Sequence, residues 1–145
     1  MRDLPRQLSV EELAELFEGR TPLVDKLAEL EYPLEHADEV LAALSDVEKI
    51  ASLNAHPTIG GRKLSARSAG EQGDDSDPEV LADLAECNQI YEEKFGFRFV
   101  VFVDRRPKSE ILEVLRARIG RTRAEELDTA CRELVAIARD RWIRT

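Results

Sequence analysis

Two cysteines, two histidines and one methionine are all that this chain of 145 residues offers a soft metal or a redox centre. Cys87 and Cys131 lie far apart, in no Cys-x-x-Cys or mixed Cys/His spacing, which argues against both a zinc site and a disulfide framework. A domain of this length buries about 68–70% of the surface its unfolded chain exposes, so its core needs no such staple. A reducing, cytoplasmic setting is the expectation. Basic charge is short as well: 21 Lys and Arg stand against 30 Asp and Glu, a net charge of -9. Such a surface repels polyanions and argues against nucleic acid as the principal partner. A local patch still suffices for one small anion. No apolar run approaches the roughly 20 residues of a membrane span, and Met1-Arg2-Asp3-Leu4-Pro5 opens no signal-peptide core. Also missing are the glycine fingerprints of nucleotide sites, the GxSxG elbow and HExxH. Any catalysis is therefore expected to use side chains alone.

What the chain does have is helical punctuation. Ser9 with Glu12, Ser45 with Glu48 and Thr122 with Glu125 fit the capping box, in which a small polar side chain and a Glu satisfy free amides at a helix start. Pro22 after Thr21 and Pro78 after Asp77 mark two more starts, because a first-turn proline lacks only an N–H that would be unpaired anyway. Apolar residues recur at helical spacing through Leu81, Leu84, Cys87 or Asn88, Tyr91 and Phe95. They do so again through Ile111, Leu112, Leu115 and Ile119, and through Leu127, Ala130, Leu134, Ile137 and Ala138. Gly120 stands where a left-handed cap ends a helix, just before the Thr122 box, so the last two helices are expected to form a hairpin.

Only Phe97-Arg98-Phe99-Val100-Val101-Phe102-Val103 reads as extended, led by Gly96. One such segment makes no sheet, so its amides must find partners other than a strand, a ligand among them. Residues 65–77 are the most polar stretch and read in their second half as an exposed loop. The expected architecture is all-α: one domain, residues 1–145, of about seven or eight helices with one short extended segment.

Of the two histidines, His36 sits in Glu35-His36-Ala37-Asp38-Glu39 and reads as a solvated surface residue. His56 ends the apolar run Val47, Ile50, Ala51, Leu53 and is followed by Pro57 and then Ile59-Gly60-Gly61-Arg62. Proline fixes the exit direction and the glycines allow close backbone approach. His56 is then either a rigidly aimed catalytic group or a cap for the last helical carbonyls. Glu71 fits a capping box with Ser68, or it orients His56 while Gln72 presents its amide to substrate. A carboxylate beside the imidazole would raise its pKa and suit a proton donor near neutral pH. Arg141 continues the stripe through Leu134, Ile137 and Ala138 and so points inward, toward a substrate anion or toward a structural carboxylate.

Three stretches, in order and at matching intervals, resemble the 2-oxo-4-hydroxy-4-carboxy-5-ureidoimidazoline (OHCU) decarboxylases of uric-acid breakdown. They are Leu53-Asn54-Ala55-His56-Pro57-Thr58-Ile59-Gly60-Gly61, Ser68-Ala69-Gly70-Glu71-Gln72 and Phe95-Gly96-Phe97-Arg98-Phe99-Val100-Val101. The likeness covers nearly the whole chain, to the closing Ile137-Ala138-Arg139-Asp140-Arg141. It implies an all-helical, cofactor-free and usually homodimeric enzyme that releases carbon dioxide from a small anionic substrate and gives (S)-allantoin. Carried over by motif, His56 and Glu71 are the catalytic pair. Pro57, Ser68, Gln72, the backbone of Phe99, Val100 and Val101, and Arg141 line the substrate site, which holds no metal. Two departures bear on the pocket edge. Val103-Asp104-Arg105-Arg106-Pro107 replaces a small or glycine-rich stretch, and Arg121 stands where relatives often have Asn. Two other readings fit the same residues: a lyase of this fold acting on another ureido or imidazolone acid, and a non-catalytic helical interaction domain.

Overall fold

The computed structural model describes residues 3–57 and 77–144. Among the described residues it has seven helices and no strand: α1 (Val10–Leu16), α2 (Pro22–Ala28), α3 (Pro33–Ala43), α4 (Asp46–Asn54), α5 (Pro78–Phe95), α6 (Lys108–Ile119) and α7 (Arg123–Arg144). The expected all-α architecture is thus the observed one.

Local chemistry sets most helix starts. The Ser9 and Ser45 hydroxyls accept from the Glu12 and Glu48 amides, and each Glu carboxylate accepts from the cap residue's own amide. Thr122 and Glu125 repeat the pattern ahead of α7. Thr21 and Asp77 cap α2 and α5, with Pro22 and Pro78 in the first turn. Two starts lack this chemistry: α3 follows Tyr32 in the left-handed conformation, and α6 follows Pro107, neither with a capping side chain.

The long α7 is the spine against which α1, α3 and α4 pack, while α2 bridges α1, α3 and α4. Leu13, Leu23, Leu27, Leu34, Leu41, Leu53, Val135 and Ala138 are buried at this junction. Helix α6 lies along α5, so the expected α6–α7 hairpin is a tight turn and not a principal packed pair. Gly120 closes α6 in the right-handed region, contrary to expectation, because the chain stays in a helical turn into Arg121, whose amide reaches the Arg118 carbonyl at 3.2 Å. A left-handed glycine instead ends α5: Gly96, at φ 81°, with open space where a Cβ would sit.

Residues 97–103 run extended through the interior, with Phe97, Phe99, Val100, Val101 and Val103 buried. Side chains take the place of a neighbouring strand. Asn54 Oδ1 accepts from the Arg98 amide at 3.0 Å, Glu133 from the Phe102 amide at 3.4 Å, and Arg118 Nη1 donates to the Val100 carbonyl at 2.8 Å. Arg106 folds back onto the Phe102 and Val103 carbonyls. The charged stretch that departs from the family pattern therefore anchors the end of this segment. Asp104 and Arg105 adopt positive φ there, where a glycine would sit without strain.

Behind the segment lies a buried polar knot. Glu126 is fully buried and accepts from the Tyr91 hydroxyl at 2.6 Å, Arg118 Nε at 2.7 Å and Arg121 Nη1 at 2.9 Å. Arg118 also lies over the Phe99 ring, 4.6 Å from its centroid. Arg121, the second departure, supplies the cation for the outer Glu126 oxygen and also donates to Thr129. Removing one member of such a knot leaves uncompensated charge in the core, which costs about 3–5 kcal/mol. Glu126→Ala is expected to lower urea-unfolding stability by about that amount; a loss below about 1 kcal/mol would contradict the assignment.

Candidate active site

Four stretches of chain converge on His56. The first is the end of α4, where the His56 amide bonds the Leu53 carbonyl at 3.1 Å and the chain exits through Pro57. The second is the start of the extended segment: Arg98 Nη1 donates to the His56 carbonyl at 2.8 Å, while its amide is held by Asn54. This pair fixes the α4 terminus from outside the helix. The third is the turn after α1, where a Cβ on Gly19 would lie 3.6 Å from that of Ala55. The fourth is α7, which carries Arg141 inward as the helical period predicts, with its side chain 1% exposed.

His56 is 7% exposed, and its Nδ1 is buried with no hydrogen-bond partner among the described residues. Among the described residues, the imidazole bonds no carbonyl of α4, and the guanidinium of Arg98 serves the terminal carbonyl. The capping alternative therefore has no geometric support. Burial lowers the His56 pKa to about 4, with the positive charge of Arg141 adding to the effect, Glu18 opposing it and Arg98 reinforcing it. The imidazole is thus neutral near pH 7, where the sequence led us to expect a protonated donor. The raised pKa was argued from Glu71, which lies outside the described residues; among the described residues, burial and Arg141 outweigh the attraction of Glu18. His36, by contrast, is half exposed beside Glu39, as expected of a surface residue.

Of the two partners open to Arg141, the structure shows the structural carboxylate. Its Nη2 lies 3.0 Å from Glu18 Oε1, and its Nη1 donates to the Leu16 carbonyl at 3.0 Å. Glu18 was not legible as a site residue. It follows the α1 cap Phe17 at φ 64°, and the Gly19 amide reaches back to the Ala14 carbonyl at 2.8 Å. That bond marks the Schellman ending, in which the left-handed position usually belongs to glycine. A glutamate there carries a left-handed cost of about 1–2 kcal/mol and sets a negative charge at a helix C-terminus, where the dipole disfavours it.

Of the other expected site residues, Pro57 is half-buried directly after His56. Phe99 packs edge-on to Tyr91 at 5.3 Å between centroids, and the Val100 carbonyl is held by Arg118. Val101 is buried, and among the described residues its backbone amide and carbonyl have no hydrogen-bond partner. Ser68, Glu71 and Gln72 lie outside the described residues. No group of three or more His, Cys, Asp or Glu able to hold a metal occurs among the described residues.

Residues 2–142 match the family described as OHCU decarboxylase. The chain belongs to the OHCU decarboxylase family. The decarboxylase named for this substrate in Amia calva is 31% identical over 151 residues, covering 90% of this chain and 85% of that protein. Its counterpart in Halalkalicoccus jeotgali is 28% identical over 141 residues, covering 89% and 80%. In fold, the chain resembles the crystal structure of an OHCU decarboxylase in the presence of (S)-allantoin, with a TM-score of 0.76 at 21% identity over 90% of this chain and 94% of that one. The buried histidine and inward arginine thus occur in a chain with both the sequence and the fold of OHCU decarboxylases.

The His56 environment has a consequence for stability. Folding lowers its pKa from 6.5 to about 4, so the unfolded chain binds more protons across that window. The contribution is complete above about pH 6.5 and is lost as the pH falls toward 4. Between pH 7 and about pH 4.5, urea unfolding of the wild type is expected to lose about 2 kcal/mol more than that of His56→Gln. Equal losses would contradict the depressed pKa.

Proposed function

We propose that this chain decarboxylates OHCU to (S)-allantoin, with His56 as the acid/base group and Glu71 as its carboxylate partner. The observation that carries the reading is the buried, neutral imidazole of His56, whose Nδ1 has no partner among the described residues, within electrostatic reach of the inward Arg141. A structural histidine in such a place would normally spend both ring nitrogens on protein groups.

The chemistry follows from the substrate, whose name places a hydroxyl and a carboxylate on one carbon. When the carbon–carboxylate bond breaks, its electron pair moves into the adjoining C=N, and carbon dioxide leaves. Neutral His56 takes the hydroxyl proton as that oxygen becomes a carbonyl, then gives it to the neighbouring carbon from one face. Carbon dioxide leaves neutral, so the carboxylate's negative charge stays with the electron pair on the ring nitrogen, where a proton from solvent neutralises it. A ring with a low pKa holds that proton weakly, which favours its transfer to carbon. Arg141, in this reading, binds the polar ring or ureido end and stabilises the developing negative charge, joined by the Val101 backbone groups. Gln72, Pro57 and Ser68 shape the rest of the pocket. Because the electron sink belongs to the substrate, the mechanism calls for no cofactor. The two free thiols, Cys87 and Cys131, support a reducing, cytoplasmic setting, and the family resemblance supports a homodimer.

The test is to generate OHCU freshly from urate, add this protein and follow (S)-allantoin by circular dichroism against the spontaneous racemic background. The wild type is expected to speed product formation with a clear enantiomeric excess, and His56→Ala to reduce turnover by at least about 10²-fold with its helical spectrum intact. Near-normal turnover in the variant would remove His56 from the mechanism, and the absence of rate increase and excess in the wild type would overturn the activity.

A further inference from the structure

We infer that Glu18 is the positioning residue for Arg141: its carboxylate and the Leu16 carbonyl hold the two ends of the guanidinium fork, so that Arg141 presents a fixed face to the substrate. The inference rests on the reading of Arg141 as a substrate ligand given above. Three independent features support it.

The first is geometric. Both terminal nitrogens of Arg141 are tied at 3.0 Å to consecutive parts of one helix ending, the Leu16 carbonyl and the Glu18 carboxylate. A planar fork held at two points cannot rotate freely about its long side chain. The second is that Glu18 breaks two local rules at once. It occupies the left-handed position of a Schellman ending, with glycine available only one residue later, and it places an anion at a helix C-terminus. Glycine at this position would satisfy α1 better, so the carboxylate is kept for something outside the helix. Violations of this kind gather where a site requires them. The third is placement. The same turn packs against Ala55, the residue before His56, so one backbone feature sets both the arginine and the end of the histidine's helix. Glu18 itself does not touch the reacting atoms in this account. It acts through Arg141.

The test uses Glu18→Gly, which removes the carboxylate while supplying the residue that the left-handed position favours, and so spares the helix ending. Each variant is assayed on fresh OHCU beside the wild type, Arg141→Ala and the Glu18→Gly/Arg141→Ala double variant, with far-ultraviolet circular dichroism to confirm folding. We expect Glu18→Gly to raise KM about 10-fold or more with a smaller change in kcat, the signature of a misplaced binding group. Glu18→Gln, which keeps a side-chain acceptor for Nη2, is expected to restore KM to within about threefold. The double variant is expected to be no worse than Arg141→Ala alone, since a residue acting through Arg141 has nothing left to position. Wild-type KM and kcat in Glu18→Gly, whatever its melting temperature, would overturn the inference while leaving the decarboxylase reading intact. So would losses that simply multiply in the double variant. Should Glu18→Gly not fold, Glu18→Asn, which tolerates the left-handed position but is too short to reach Nη2, takes its place: a KM raised about 10-fold supports the inference, and a wild-type KM overturns it. A wild type without activity on OHCU would overturn the function and this inference together.

Discussion

An arginine drawn into the interior of a protein stays there only if an anion and carbonyl oxygens meet it, and the site depends on that requirement. Arg141 sits on α7, the helix against which α1, α3 and α4 pack, so its inward direction comes from the same stripe that builds the core. Once inside, it needs Glu18, and Glu18 reaches it only because α1 ends in a turn that points a carboxylate back at α7. The pair puts one positive and one negative charge near a buried imidazole, but the positive one lowers the imidazole pKa more than the negative one raises it, after burial has done most of the work. The result is an imidazole that is neutral at pH 7.

A second buried ionic group does the complementary structural task. The Tyr91, Arg118, Arg121 and Glu126 knot ties α5, α6 and α7 together and supplies the Val100 carbonyl with a donor. It lets an extended segment pass through an all-helical interior without a partner strand. Burial and the hydrogen bond to Glu126 push the Tyr91 hydroxyl well above its ordinary pKa, consistent with a permanent donor and no titrating role. Both departures from the family pattern fall in this region: Arg106 and Arg121 each donate to groups that hold the segment or the knot.

The helices were legible because their signals are local. Each capping box and first-turn proline is complete within four residues, and the structure repeats them as hydrogen bonds. The inward direction of Arg141 was legible for the same reason, since the period of α7 determines it. Its partner was not. The chain has 30 acidic residues, and nothing in the sequence around Glu18 marks it out except a poor fit to its own helix ending. Asn54, Arg98 and Arg118 escaped notice for a related reason. They serve backbone groups distant in sequence, such as the His56 carbonyl 42 positions from Arg98, and backbone amides and carbonyls carry no sequence signature. Burial, the dominant influence on the His56 pKa, is a property of the assembled fold and has no local sequence signature.

The site as described turns on His56 being a neutral imidazole at working pH. With only two histidines in the chain, the direct measurement is an NMR titration of the labelled imidazoles, with His36→Asn used to assign the His56 signal. A His56 midpoint near pH 4 is expected from its burial and the Arg141 charge. A midpoint at or above the ordinary value of 6.5 would contradict it and restore the protonated donor.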